Sequence, residues 1–482
     1  MKNESSSVTF SAEKQKDRIM FQKIYNYLKS SPLEQNKRLL ICMLGLLMLF
    51  ALVPRIAGLI INPDALYHND GMEYRDIAEQ ISKGNGFSVT YYRWYEAVPD
   101  VKEPLRTDFS RPPMLPLLGA ALFLLPFDWE KSAIVTVHLM SLLCILMVFL
   151  LGREVFKNNT IGFLSAGIYA FYPYSIYHSL CWSSENLFLI FFCAAWIFLI
   201  KAVRNGFDWK EAAGCGIFMA LATMTRPQGA LVFILLGLLA AIVFFNALRK
   251  EKDQARKIFR GTAVFGVSAL IVFSPWMIRN WYHCGIPSPF SFYGAYSFAQ
   301  ASSDVSYVTY KYVDTPQYKE KTDEAWDTFH KAKTDALKEK KAFTLIEADP
   351  YWRQWAWEYI RENPGKMAFI IRNRVLHCFR AAPNAAAVSP KVVIILRIYF
   401  VIFLALILCG LWYARKNKAA LSLLIPPLCA LILAVPFLMI LRYRYPFFAP
   451  FAAIFAAYGF YELCRRFFNR RPQDRNIESP QG

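Results

Sequence analysis

A small set of charged side chains stands beside apolar runs, where an ionised group is costly and therefore informative. Asp70 and Glu73 lie in "HNDGMEYRDIAEQISKGNGF", Asp108 and Arg111 in "DFSRPPMLP", and Glu185 in "CWSSENLF". Arg226 lies in "TRPQG", Arg279 and Asn280 in "PWMIRNWYHCGIP", and Arg442 and Arg444 alternate with Tyr443 and Tyr445 in "LRYRYP". A carboxylate can take the proton of an attacking hydroxyl. Guanidinium groups fork onto phosphate oxygens and stabilise the charge that gathers there as a bond breaks. Asp70 and Asp108 are thus the candidate bases. Arg111, Arg226, Arg279, Arg442 and Arg444 are the candidate phosphate ligands, with Glu73, Glu185, Asn280, Tyr443 and Tyr445 in support.

Each residue alone has a plainer reading. Asp70 followed by Glu73 is the pattern of a helix capping box. An arginine beside an apolar segment often snorkels to bulk lipid phosphate, and Glu185 at the start of an apolar run suits a helix N-terminus. What separates the readings is whether the elements carry all these groups to one face.

Of the 482 residues, 55% are hydrophobic and 16% aromatic. Apolar runs at 39–61, 134–151, 161–177, 184–200, 212–224, 230–245, 261–278, 392–413, 419–441 and 447–461 predict an all-α polytopic membrane protein of about ten crossings. The net charge of +19 fits basic cytoplasmic loops and anionic lipid. No recognition motif accompanies it, so nucleic acid is excluded as a partner. The ten cysteines lie mostly in apolar runs, without a CxxC or a Cys/His cluster, and read as small core residues.

The stretch 114–127, "MLPLLGAALFLLPF", decides the topology. At about 14 residues it is short for a span. If it does not cross, the loops holding Arg153, Lys157, Lys201, Arg204 and Lys210, together with "LRKEKDQARKIFR", "ARKNK" and "CRRFFNRRPQDR", all fall inside. If it crosses, all of them move outside, against the positive-inside rule. It is therefore predicted to be a re-entrant or interfacial helix, with both termini cytoplasmic. The chain then divides into a cytoplasmic segment (1–38), a membrane-embedded catalytic half (39–278) with a first outer loop (62–131), a large outer loop (279–391), C-terminal membrane helices (392–461) and a basic cytoplasmic tail (462–482). Every singled-out residue falls on the outer face. Within the first loop, Tyr74, Ile77, Ala78 and Ile81 have the spacing of an amphipathic helix, ended by Gly84 and Gly86.

In this order, "NDGMEYRDIAEQISKGNGF", "SRPPMLP", "YPYSIYHSLCWSSENLF", "LATMTRPQG", "PWMIRNWYHCGIP", "YIRENPGKM" and "RYRYPFFAPFAAI" resemble the bacterial polyprenyl-phosphate-sugar glycosyltransferases of the GT-C fold, which include protein mannosyltransferases and lipid A aminoarabinose transferases. The resemblance implies a GT-C-like bundle, a sugar donor on a polyprenyl phosphate, an acceptor hydroxyl at the outer face of a bacterial plasma membrane, and the first-loop acid, Asp70, as base. Direct displacement implies inversion at the anomeric carbon. Eukaryotic-type protein mannosyltransferases carry adjacent Asp and Glu in this loop. Here Asp70 is followed by Gly71, which speaks against protein O-mannosylation. Some relatives hold a divalent metal near the first-loop acid, but no ligand spacing here calls for one. The acceptor stays open. Rival readings are an envelope glycan polymerase or ligase using diphosphate-linked donors, and a lipid or solute transporter. No internal repeat favours the transporter.

Overall fold

The computed structural model describes residues 32–68, 70–380, 390–437 and 441–469. The N-terminal polar segment up to residue 31 and the basic tail from residue 470 lie outside the described residues.

Among the described residues, seven helices are long and apolar enough to cross a membrane. They are α1 (Lys37–Ile61), α4 (Trp129–Phe156), α6 (Ser184–Arg204), α8 (Gly229–Lys250), α9 (Lys252–Cys284), α15 (Pro390–Ala414) and α17 (Leu441–Asn469). Three of the ten predicted runs form shorter helices: α5 (Asn159–Ala170), α7 (Trp209–Thr225) and α16 (Ile425–Leu433). Length alone therefore does not carry the count of ten. The breaks have a local cause: Pro173 and Pro426 open new short helices, where the missing N–H costs nothing.

Two helices of the first loop lie across the end of this bundle. The amphipathic spacing forms α2 (Gly71–Ser82), which buries Tyr74, Ile77 and Ala78 and ends where Gly84 and Gly86 take positive φ. The 114–127 stretch forms α3 (Met114–Phe123). Its ten residues rise about 15 Å, half the thickness of a hydrocarbon core. It docks on α2 at Gly119, where an added Cβ would stand 2.9 Å from that of Ala78. A two-stranded ribbon, β1 (Ser88–Val89) with β2 (Arg106–Thr107), ties the rest of the loop together.

The large loop is helical too. It contains α10 (Gly294–Ala301), α11 (Asp304–Tyr312), α12 (Tyr318–Glu339), α13 (Leu345–Glu362) and α14 (Pro364–His377). Its separate aromatic core places Trp352, buried, against Tyr296 at 5.1 Å between ring centroids. The aromatics of "DPYWRQWAWEYI" thus divide between this core and the surface, with Trp357 exposed.

In the bundle α6 packs on α7, α7 on α9, α4 on α5, and α15 on α17. Small residues set the closest approaches: a Cβ on Gly410 or Gly459 would strike the carbonyls of Phe455 and Leu406, so backbone meets backbone there. The helix termini sort by chemistry. Trp129, Ser184, Thr225, Gly229, Cys284 and Leu441 lie at the end covered by α2 and α3. The other end holds Lys157, Arg204 and Lys250, where Arg204 pairs with Glu154 at 2.9 Å.

Candidate active site

Asp70 occupies the residue before α2, yet its side chain makes no capping hydrogen bond. The capping-box reading therefore fails on geometry. The carboxylate turns away to meet two guanidinium groups, Arg111 Nη2 at 3.1 Å and Arg442 Nη2 at 2.5 Å. Gly71 allows this turn, because a Cβ there would stand 2.6 Å from the Leu66 carbonyl. That carbonyl also accepts from Trp182 N at 2.9 Å, fixing the first loop against the segment leading into α6.

Glu185 sits in the first turn of α6 and is fully buried. Its Oε1 accepts from Arg442 Nε at 2.5 Å and lies 2.8 Å from Arg226 Nη1. Arg226, the residue ending α7, also donates to Ser184 Oγ at 3.0 Å. Arg111 donates its Nε to Glu73 Oε2 at 2.9 Å, and Arg93 reaches the same oxygen at 2.6 Å. Asp70, Glu73 and Glu185 are thus woven with Arg111, Arg226, Arg442 and Arg93 into one buried lattice. Burial acts to raise the Asp70 pKa, but Arg111 and Arg442 outweigh it and hold the carboxyl at about 2. Glu73 is likewise lowered, because Arg111 and Arg93 overcome its burial.

A cavity of about 230 Å³ opens onto this lattice. Asp70, Arg111, Arg226 and Arg442 form its charged wall, with Tyr443 beside Arg226 at 5.6 Å. Ala430, Leu433, Phe437 and Phe447, from α16 and α17 and the segment between them, supply an apolar wall. Ser291, Ser297 and Gln300 add uncharged polar groups from the start of the large loop.

Glu73 and Glu185 stand behind the charged wall, and five further sequence candidates do not reach the cavity either. Asp108 is buried with Arg93 at 2.8 Å, and its oxygens accept from Ser110 N, Ser110 Oγ and Arg111 N. It shapes the turn that delivers Arg111. Arg279 donates to the Asp108 carbonyl at 2.7 Å and lies over Trp276 and Phe109, at 4.7 and 4.8 Å. Asn280 takes an Arg279 hydrogen bond and donates to the Ser288 carbonyl, closing the turn after α9. Arg444 caps α14, donating to the carbonyls of Cys378 at 2.6 Å and Arg380 at 2.5 Å. Tyr445 is buried in the bundle, where its hydroxyl meets Tyr169 and Asn186. Helical periodicity separates the arginines of "LRYRYP". Both lie within the final helix, described over Leu441–Asn469, so positions 442 and 444 stand about 200° apart around it.

Arg93 and Gln300 were invisible to spacing arguments. Arg93 lies in the aromatic stretch "YYRWYE" and Gln300 on an unremarkable helix. Among the described residues, no group of three or more His, Cys, Asp or Glu side chains could hold a metal ion. Asp70, Glu73 and Glu185 face guanidinium groups instead.

The known folds now bear on this geometry. The chain is similar to the oligosaccharyltransferase of Archaeoglobus fulgidus solved with Zn and sulfate, with TM-score 0.50, 15% identity, and coverage of 89% of this chain and 50% of that one. This protein has the GT-C fold. Residues 110–279 of the GT-C chain match the family described as dolichyl-phosphate-mannose-protein mannosyltransferase, so the resemblance read from the motifs holds. The archaeal enzyme AglB, in complex with an inhibitory peptide and a dolichol-phosphate, aligns with TM-score 0.49 and 14% identity over 92% of this chain and 53% of that one. ArnT from Cupriavidus metallidurans, bound to undecaprenyl phosphate, aligns with TM-score 0.38 and 14% identity over 87% of this chain and 77% of that one. This GT-C chain spans about half the length of the oligosaccharyltransferase structures it matches. No curated protein matches it in sequence.

Proposed function

We propose that this protein is an integral membrane glycosyltransferase that moves a sugar from a polyprenyl-phosphate donor to an acceptor hydroxyl with inversion. The observation that carries the reading is the cavity itself, where one carboxylate and three guanidinium groups face an apolar wall. That combination suits an amphiphile with a phosphate between an isoprenoid chain and a sugar. The partial match to the dolichyl-phosphate-mannose-protein mannosyltransferase family supports the same donor class.

In this mechanism the acceptor oxygen attacks the anomeric carbon from the face opposite the phosphate. The new C–O bond forms as the C–O bond to phosphate breaks, and the electron pair leaves with the phosphate. Asp70 takes the acceptor proton. A carboxylate held at about 2 is a weak base, so the donor has a second part to play. When its phosphate draws Arg442 and Arg111 toward itself, Asp70 loses the partners that depress its proton affinity. Donor binding thereby arms the base. Glu185 keeps Arg442 and Arg226 in place, and Asp108 keeps Arg111 in place. Their roles are positional.

The site faces the outside of a plasma membrane. The support is the sorting of termini described above, which sets the basic loops at the end opposite the cavity, where the positive-inside rule would retain them. The test uses purified protein with polyprenyl-phosphate mannose and a fraction of envelope glycolipids and glycans as acceptors. Released polyprenyl phosphate and mass-shifted products are expected, and both should vanish in Asp70→Asn. Products that persist unchanged in that variant, or protein that binds no such donor, would overturn the reading.

A further inference from the structure

The large loop carries a second hollow, a groove of about 520 Å³, more than twice the volume of the catalytic cavity. Tyr307 and Lys311 line it from α11, Phe329 and Lys333 from α12, and Trp355 and Tyr359 from α13. Each pair is one helical turn apart, so each helix turns a single face to the groove. The four aromatic rings are half-buried. Lysine tips lie loosely on two of them, with Lys333 Nζ 4.4 Å from the centre of Trp355 and Lys311 Nζ 5.6 Å from that of Tyr307.

Both signs of charge are interleaved here. Lys321 pairs with Glu324 at 3.0 Å, and Asp304 with Lys366 at 2.8 Å. The groove therefore presents no field of one sign that would select an ion. One polar group is left over. Ser302 is 3% exposed and lines the groove, and its hydroxyl has no hydrogen-bond partner among the described residues. A buried hydroxyl without a partner is costly unless a ligand supplies one.

Position links the groove to the catalytic cavity. Ser297 and Gln300 of α10 line the cavity, whereas Ala299 and the two residues after the helix, Ser302 and Ser303, line the groove. One short helix is thus a wall common to both.

We infer that this groove holds the body of the acceptor, and that the acceptor is an uncharged chain of several linked sugars. This rests on the glycosyltransferase reading above. A sugar hydroxyl both donates and accepts, so it can pair with carboxylates, ammonium groups and Ser302 alike. The C–H faces of sugar rings fit the aromatic sides. A helix is about 10–12 Å across, so a single sugar in the groove would not reach Asp70, whereas a chain passing around α10 would. An extended peptide fits less well. Among the described residues of this loop there is no strand, and hence no edge on which a peptide main chain could pair.

The test gives the purified full chain polyprenyl-phosphate mannose with neutral manno- and gluco-oligosaccharides, from the monosaccharide upward, and Ser/Thr-rich peptides alongside. Oligosaccharide binding is read directly by tryptophan fluorescence, and donor binding is measured separately. The kcat/KM for transfer should rise about tenfold or more with chain length, as remote contacts are added. Trp355→Ala should erase that rise by increasing KM for the long acceptors about tenfold, with kcat little changed. Ser302→Ala removes an unpaired hydroxyl, so it should hold or raise the melting temperature while KM for long acceptors increases several-fold. It also decides the matter if Trp355→Ala does not accumulate. Rates independent of chain length, long-acceptor KM values that ignore both substitutions, or a preference for the peptides overturn the inference and leave the donor site intact. Protein that binds the oligosaccharides through Trp355 and Ser302 but binds no donor overturns the glycosyltransferase reading and leaves the groove a saccharide site.

Discussion

Asp70 and Arg442 are separated by 372 positions in the chain and meet at 2.5 Å. One arrives on the first loop, the other on the last helix. The pair joins the two ends of the hydrophobic body at the point where the proposed chemistry occurs.

Replacing Asp70 with Asn should separate chemistry from architecture. The amide keeps the shape and an oxygen for one arginine but takes no proton. Turnover is expected to fall by about 10²–10⁴, while donor binding is retained or tightened, because the amide no longer competes as an anion for Arg442 and Arg111. Single-turnover transfer and equilibrium donor binding measure the two separately. Near-normal turnover would remove Asp70 from the base role.

The two arginines of "LRYRYP" should respond differently to lysine. Arg442 forks between Asp70 and Glu185, and a lysine point charge cannot reproduce that fork. Donor use in Arg442→Lys should drop about tenfold or more, the equivalent of one charged hydrogen bond. Arg444 binds main-chain carbonyls at the end of α14. Arg444→Lys should therefore lower the melting temperature with little change in KM. Equal effects of both changes on KM would contradict the division of labour.

Gly71→Ala tests whether backbone closeness aims Asp70. The added methyl meets the Leu66 carbonyl, which is held by Trp182 N. Relief by shifting α2 should cost about 1–3 kcal/mol and take transfer activity with it. Thermal unfolding in detergent and a turnover assay check both parts. An active, fully stable variant would show that the loop has slack.

The low pKa of Asp70 sets a sign for pH dependence. Its folded value of about 2 lies below its unfolded value of about 4. Its contribution to stability is thus complete above about pH 4 and disappears as the pH falls through about 2. In the free enzyme Asp70 stays ionised at neutral pH, so kcat/KM should show no acid limb between about pH 5 and 8 from this group. An acid limb in that window that disappeared in Asp70→Asn would contradict this.

The sequence was most legible where an element's own pattern fixes its neighbours. The period of Tyr74, Ile77 and Ala78 marked α2 correctly, because one buried helical face leaves that trace. The shortness of the 114–127 stretch likewise pointed to the ten-residue α3. Residue type also selected Asp70, Arg111, Arg226 and Arg442, which the fold brings to one cavity, and Glu185, which holds two of those arginines from behind. Direction was not legible. Arg442 and Arg444 look equivalent in a string, and only rotation about α17 sends one to the cavity and the other to the end of α14. Nor could the string show that Asp108 faces Arg93, since that contact depends on the ribbon's path between them. Arg55 was missed for a related reason. It is fully buried in α1 and satisfied by Ser141, Ser175 and the carbonyls of Ala51 and Ala170, all but Ala51 distant in sequence.

Arg111, Arg226 and Arg442 come with their own counter-ions in Glu73, Asp70 and Glu185. On the proposed function, the cleft works as a pre-loaded ion exchanger. Any anion that enters must evict a carboxylate tethered to the same fold, whose effective concentration no dissolved salt approaches. Free phosphate and chloride bring nothing to offset that eviction. A phosphate attached to a long hydrocarbon tail does, through the area it removes from water along Leu433, Phe437 and Phe447. Discrimination between a membrane lipid and the ions of the surrounding fluid then follows from electroneutrality, without a steric gate.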